Sequence, residues 1–196
     1  ALKFEDAERK FNINTANEVL LEQVLSTIGV EEGRETIIGS ILDWRDPDNQ
    51  THPRGTETDY YKSLQPPYRA ANQRLESVDE LRLVKGYDAK TIELLRPYVS
   101  VLPLATAINI NTADARVLSA LFAQLPPSTA QQLVEQRDKN PFKSKDELAQ
   151  RDALPPETGV EVLARAVLAI TGEPFPLEFK GSAADMVRAL APDAPL

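Results

Sequence analysis

One pentapeptide, Asn12-Ile13-Asn14-Thr15-Ala16, recurs as Asn109-Ile110-Asn111-Thr112-Ala113, 97 positions further on. Self-similarity at a long offset means that one structural unit is used twice, which constrains the fold more than composition does. Each copy runs into apolar positions at helical spacing: Val19, Leu20 and Val24 in the first, Val117, Leu118, Leu121 and Phe122 in the second. Thr15 and Glu18 have capping-box spacing in the first copy; the second keeps Thr112 and places Asp114 in the opening turn, where the helix dipole favours negative charge.

A second matched pair is Ser77-Val78-Asp79-Glu80-Leu81 and Ser144-Lys145-Asp146-Glu147-Leu148, both with Ser-x-x-Glu spacing. Its offset is 67, so the first half carries about 30 residues more than the second. The excess lies after a helix over roughly Glu31 to Trp44 and is assigned to residues 45–74. Each half closes with a further helix, Ala89 to Arg96 before Pro97, and Pro156 to Ala169. The short β-branched stretches Val99-Ser100-Val101 and Val167-Leu168-Ala169-Ile170 are able to pair as a small ribbon.

The expected fold is therefore mainly α, with two related helical halves of helix-hairpin-helix or SAM-like type and at most a small β ribbon. Residues 11–171 form the all-α domain: half one is 11–106 with its acidic insertion 45–74, and half two is 107–171. Residues 172–196 form a Pro-rich C-terminal segment.

Composition narrows the chemistry. With 22 basic and 30 acidic residues in 196, the net charge is −8, against a general polyanion binder. No cysteine and one histidine, His52, remove thiolate chemistry and poly-His zinc sites and disfavour a His-based triad. No apolar run reaches the ~18 residues of a bilayer span, and the first ten residues do not read as a signal peptide.

Half two resembles the helix-hairpin-helix pattern of DNA-binding proteins, whose hairpin glycines bring backbone N–H groups to a phosphate. Here that hairpin is Leu125-Pro126-Pro127-Ser128-Thr129, without glycine, and residues 107–171 hold seven basic against eight acidic side chains. A helical scaffold without a phosphate grip is the better reading; nucleic-acid binding stands as the alternative.

The insertion is the unusual part. Asp43, Asp46, Asp48, Glu57 and Asp59 fall within 17 residues, offset by Arg45 and Arg54. Loops this long with little secondary structure are uncommon unless something holds them, and calcium takes six to eight oxygen ligands. Asp46, Asp48 and Glu57 fit EF-hand positions 1, 3 and 12, but Thr51 stands where the turn glycine belongs, so this is not an EF-hand. On residue chemistry alone a custom calcium site and a solvated acidic loop both remain open. Trp44, Tyr60, Tyr61 and Tyr68 read as packing residues that anchor the insertion, and His52 as an exposed turn residue, with a metal contact as the lesser alternative. A carboxylate pair for glycoside hydrolysis ranks last, since nothing fixes its separation.

Phe11-Asn12-Ile13-Asn14, Ser40-Ile41-Leu42-Asp43-Trp44-Arg45-Asp46-Pro47-Asp48 and Gly55-Thr56-Glu57-Thr58-Asp59-Tyr60-Tyr61 together resemble the type II secretion minor pseudopilin K family, also called general secretion pathway protein K. Pro67-Tyr68-Arg69-Ala70-Ala71-Asn72, Glu80-Leu81-Arg82-Leu83-Val84-Lys85-Gly86-Tyr87 and the second pentapeptide extend the likeness over residues 4–171. The resemblance implies a non-enzymatic structural protein: a large helical domain inserted into a pilin-like α/β body at the periplasmic pseudopilus tip. It implies minor pseudopilins I and J as partners, with the secretin and a secreted exoprotein facing the tip, in support of pseudopilus assembly and protein export. It implies bound Ca2+, one or two ions, with Asp43, Asp46, Asp48, Glu57 and Asp59 as ligands. It also implies an anchor at the periplasmic face of the inner membrane of a Gram-negative bacterium. The family's membrane helix and most of its pilin sheet have no counterpart in these residues, and residues 1–10 read as a flank of that body.

Overall fold

The computed structural model describes residues 5–104, 108–121 and 125–142. The chain divides into two compact units, 1–106 and 107–196. The described residues are mainly helical, with one two-stranded sheet.

In the first unit a 3-10 turn at Ala7–Arg9 leads into β1 (Phe11–Asn12), α1 (Glu18–Thr27) and α2 (Arg34–Arg45). The acidic insertion follows and contains a short helix, α3 (Thr58–Lys62), where the sequence suggested little regular structure. A 3-10 segment (Val78–Leu83), α4 (Ala89–Leu95) and β2 (Val99–Ser100) complete the unit. The second unit contributes α5 (Ala115–Leu121) and α6 (Pro127–Lys139).

In the sheet, Val99 and Ser100 pair in parallel with Phe11 and Asn12. The other expected strand, 167–170, lies outside the described residues, as do Ser144–Leu148, the helix expected at 156–169, and residues 172–196.

Helix ends follow local chemistry. The N-cap of α1 is Asn17, whose side chain accepts from the Leu20 N–H, so the Thr15–Glu18 capping box does not form. The Thr15 hydroxyl instead donates to the Asn12 carbonyl inside the turn. At its C-terminus α1 closes in a Schellman motif around Gly29 (φ 75°), with Val30 N–H on Leu25 O and Gly29 N–H on Ser26 O. Ser77 caps the 3-10 segment through the Asp79 N–H, while Glu80 reaches back to the Glu76 N–H and also accepts from Trp44. Asp114 caps α5 through the Arg116 and Val117 N–H groups.

Phe11, Ile13, Leu21, Val24, Leu25, Ile41, Leu81, Ile92 and Val99 form the core of the first unit. Two asparagines are buried with them. Asn14 exchanges two hydrogen bonds with the backbone of Leu75 (2.8 and 2.9 Å) and donates to Leu102 O, and Asn12 bonds the backbone of Leu102 and Leu104. An asparagine amide presents a donor and an acceptor as a peptide does, so these side chains satisfy backbone that no sheet partner reaches.

The same contacts recur in the second unit. Asn111 exchanges two hydrogen bonds with the backbone of Phe142, and the Thr112 hydroxyl donates to Asn109 O. An arginine late in the second helix clamps each turn: Arg45 donates to Ile13 O and Ala16 O, and Arg137 to Ile110 O and Ala113 O.

Candidate metal centre

Helix α2 carries the first part of the site at its C-terminal end. Asp43 faces inward and is fully buried; Asp46 caps the helix three residues later. Gly39, one turn before Asp43, lets the insertion lie directly on the helix, since a Cβ there would stand 2.6 Å from both Pro53 O and Gly55 N. Gly55 is held just as closely: a Cβ there would collide with Asp43 Oδ2 and lie 2.9 Å from Gly39 O. The two glycines face each other across the seam, and the backbone of residues 53–55 closes over the Asp43 carboxylate.

The far limb of the insertion is anchored by aromatics. Tyr61 is fully buried and meets Trp44 edge-on at 5.1 Å between ring centroids and Tyr68 at 5.3 Å. The Tyr68 hydroxyl donates to Leu83 O, and the Tyr61 hydroxyl accepts from the Lys85 N–H. Burial pushes the Tyr61 phenol up to about 12.

Between these anchors the carboxylates converge in two overlapping clusters, Asp43–Asp46–His52 and Asp46–Asp48–Glu57, each with donor atoms within 4.8 Å of one another. Asp43 Oδ2, Asp46 Oδ1 and both Glu57 oxygens are buried without a hydrogen-bond partner. Burial first, and the neighbouring Asp48 next, raise the Asp46 carboxyl above its ordinary range; burial first, then Asp43, raise Glu57. The two nearby cations are engaged elsewhere. Arg45 turns to Ile13 and Ala16, where burial pulls its guanidinium below the ordinary value, and Arg54 pairs with Glu35 at 3.4 Å. Buried carboxylates without a partner are costly, and a divalent cation is the compensation this donor set fits.

Four of the five carboxylates singled out in the sequence come together here. Asp59 does not join them: its side chain is 98% exposed and pairs with Lys62 at 3.5 Å on the surface of α3. His52 is exposed over part of its ring, 41% of the side chain, and is also engaged: its Nδ1 lies 2.6 Å from Asp43 Oδ1, which also accepts its backbone N–H at 2.8 Å. Asn72 is the residue that the acidic pattern gave no reason to include. It donates to Asp48 O and Asn49 Oδ1, adopts a positive φ of 47°, and keeps a buried Oδ1 without a partner.

The raised carboxyl values set a sign for pH dependence in the absence of metal. A carboxyl that is raised in the fold binds its proton more tightly folded than unfolded. Its contribution is therefore fully present below the ordinary carboxylate range and is lost as pH rises through the folded value. In chelator, the stability contributed by Asp46 and Glu57 falls between about pH 4 and about pH 7, and Glu57→Gln removes part of that fall. Urea midpoints of both proteins at the two pH values check this; identical differences would exclude Glu57 as a source.

In the second unit, Pro126 precedes and Pro127 opens α6, so the hairpin offers no N–H at either position. Arg137 is 7% exposed, with its guanidinium on backbone carbonyls rather than presented to a phosphate.

Two family models, both described as type II secretion system (T2SS) protein K, match residues 4–104 and 108–170. The type II secretion system protein K of Pectobacterium carotovorum is 37% identical over 87% of this chain and 58% of its own length. That of Pseudomonas aeruginosa is 35% identical over 74% of this chain and 46% of its own. A chain in the crystal structure of the GspK–GspI–GspJ complex from the enterotoxigenic Escherichia coli type 2 secretion system superposes with a TM-score of 0.67. It is 29% identical, over 85% of this chain and 62% of that one. The chain thus spans about half the length of the curated relatives it matches. With family models matching on either side of the division between its two units, the chain belongs to the type II secretion system protein K family.

Proposed function

We propose that this chain is the helical part of a minor pseudopilin: a structural, non-enzymatic cap at the periplasmic pseudopilus tip, anchored in full at the inner membrane. Its partners are the minor pseudopilins I and J, and the secretin and a secreted exoprotein are faced by the assembled tip. The likeness to a chain of the GspK–GspI–GspJ complex supports the partner assignment. No helix among the described residues is long and apolar enough to cross a membrane, so the anchor is assigned to the remainder of the full-length protein. The shared asparagine and arginine contacts support reading the two units as copies of one helical design.

Calcium organises the acidic insertion. The observation that carries this is the set of buried carboxylate oxygens on Asp43, Asp46 and Glu57 that have no hydrogen-bond partner. Asp46, Asp48 and Glu57 supply an all-oxygen cluster, with Asp43 behind it; such hard donors suit calcium, which tolerates irregular geometry and completes its shell with carbonyls and water.

Thermal melts in calcium, magnesium and chelator test the calcium role. A ligand that binds only the folded state stabilises by about 2.7 kcal/mol at 100 times its Kd. For a cooperative unit of 60–100 residues that is a rise on the order of 10–20 °C, seen with calcium and not with magnesium. Asp48→Asn and Glu57→Gln should abolish the rise, whereas Asp59→Ala should keep it. No rise, or an equal one with magnesium, overturns the calcium role. Co-purification with the periplasmic domains of minor pseudopilins I and J tests the partners independently.

A further inference from the structure

The aromatic limb of the insertion carries a surface of a different kind from its carboxylate end. Tyr60 is 37% exposed and Leu83 is 46% exposed. They stand on segments that are tied together. The Tyr68 hydroxyl donates to Leu83 O at 2.9 Å, the Lys85 N–H donates to the Tyr61 hydroxyl, and Lys85 Nζ lies 4.4 Å from the centre of the Tyr60 ring. Apolar side chains held at the surface beside a polar rim have the anatomy of an interface. We propose that Tyr60, Leu83 and Lys85 form a docking surface for an acidic segment of another protein, one that carries an apolar anchor among its carboxylates.

Charge selects the occupant. Tyr60, Lys62 and Lys85 line one groove of about 600 Å³, with Asn49, Thr51 and Thr58 among its neutral hydrogen-bonding walls. Glu57 and Asp59 line it too, but Glu57 has both oxygens buried and Asp59 pairs with Lys62 at 3.5 Å. Lys85 is the uncompensated charge of these four. Among the described residues it has no carboxylate partner, and its ammonium rests on the Tyr60 ring, which keeps a positive charge at the surface. A discrete segment is able to set one carboxylate on Lys85 and an apolar side chain against Tyr60 and Leu83, leaving Asp59 to Lys62. A nucleic acid or an anionic membrane presents a continuous negative surface instead. A chain of net charge −8, with Asp59 98% exposed at this groove, repels such a surface, and membrane-binding patches gather about four to eight basic residues. The docking surface is also set in advance: the bonds from Tyr68 and Tyr61 hold the backbone of residues 83–85, so binding orders few groups.

The test uses the whole chain in calcium and the peptide Asp-Glu-Asp-Phe-Asp-Glu, followed through backbone amide shifts by NMR. The expected result is saturable binding at millimolar peptide or below, with shifts centred on residues 60–62 and 83–85 and an affinity that falls with added salt. Lys85→Gln and Leu83→Ser should each weaken binding by about 5-fold or more, the measure of an interface hot spot. Both should melt as wild type, which shows that they fold. Lys90→Gln and Val19→Ser, at exposed positions on α4 and α1, should leave binding unchanged. The neutral peptide Asn-Gln-Asn-Phe-Asn-Gln should bind more weakly by at least about 5-fold. Absence of saturable binding, equal binding of the neutral peptide, or wild-type affinity in Lys85→Gln and Leu83→Ser overturns the proposal. Phosphatidylglycerol vesicles are run in parallel, and binding to them that Lys85→Gln abolishes assigns the surface to a membrane and overturns it as well.

Discussion

Replacing Arg45 by methionine is expected to lower the unfolding free energy of the first unit by about 3–4 kcal/mol, in calcium and in chelator alike. The guanidinium donates to Ile13 O and Ala16 O, closing the turn between β1 and α1 from the end of α2. Hydrogen bonds to a charged donor contribute about 1.5–3 kcal/mol each, and a buried carbonyl left unpaired costs about 1–3 kcal/mol. Methionine fills the volume and supplies no donor. Lysine should rescue only in part, because one ammonium lacks the planar fork that reaches two carbonyls at once. Against a typical domain stability of about 5–15 kcal/mol the loss is large, and urea denaturation of wild type, Arg45→Met and Arg45→Lys measures it. A change under about 1 kcal/mol would show that the clamp is replaceable by water.

Gly39→Ala is expected to destabilise by about 2–3 kcal/mol and to remove the calcium response, although alanine is by itself the better helix former by about 1 kcal/mol. The sign reverses because the new methyl meets main chain, which has nowhere to rotate: Gly55 N and Pro53 O at 2.6 Å and Gly55 Cα at 2.8 Å. The insertion must lift from α2, carrying Gly55 off Asp43 and His52 away from its partner. Gly29→Ala is the control. Its Cβ would meet open space, so the cost is confined to its left-handed backbone (φ 75°), about 1–2 kcal/mol, and the calcium response survives. Thermal melts of the two variants in calcium and chelator separate these outcomes. Retention of the full calcium rise by Gly39→Ala would show that the seam does not support the site.

Helical content and the Val99–Ser100 strand were legible because apolar spacing, proline stops and β-branched runs are local signals; its parallel partner, Phe11–Asn12, lies far away in the chain and was not. The Asn-Ile-Asn-Thr-Ala repeat was legible as a repeat, but its use was not. Asn12 and Asn14 bond to residues 61 to 92 positions away, and no local pattern announces such partners. The same limit explains Thr15, whose hydroxyl serves the turn while Asn17 caps the helix. Arg45 stands in the sequence as an offset to the surrounding acids. In the fold it turns to the loop between β1 and α1, where Ile13 O and Ala16 O accept from it. Within the insertion, no periodicity fixes which way a side chain looks. Asp59 and Glu57 are equivalent in sequence, yet helix α3 turns the first to solvent, while both Glu57 oxygens are buried. His52 carried no signal beyond being the single histidine; its position against Asp43 follows from the close glycine seam.

The parallel pairing of β1 with β2 has a mechanical consequence. Phe11 lies beside Val99, and both strands run the same way, so the chain before residue 11 and the chain after residue 100 depart from opposite ends of the ribbon. Tension applied between residues 5 and 104 loads the Phe11–Tyr98 and Ile13–Ser100 backbone bonds, together with the Asn12 bonds to Leu102 and Leu104, in shear. These bonds must fail together rather than open one after another like a hairpin. A unit so connected transmits a pull between its two ends as a rigid link, and its resistance is set by a rupture rate rather than by its equilibrium stability.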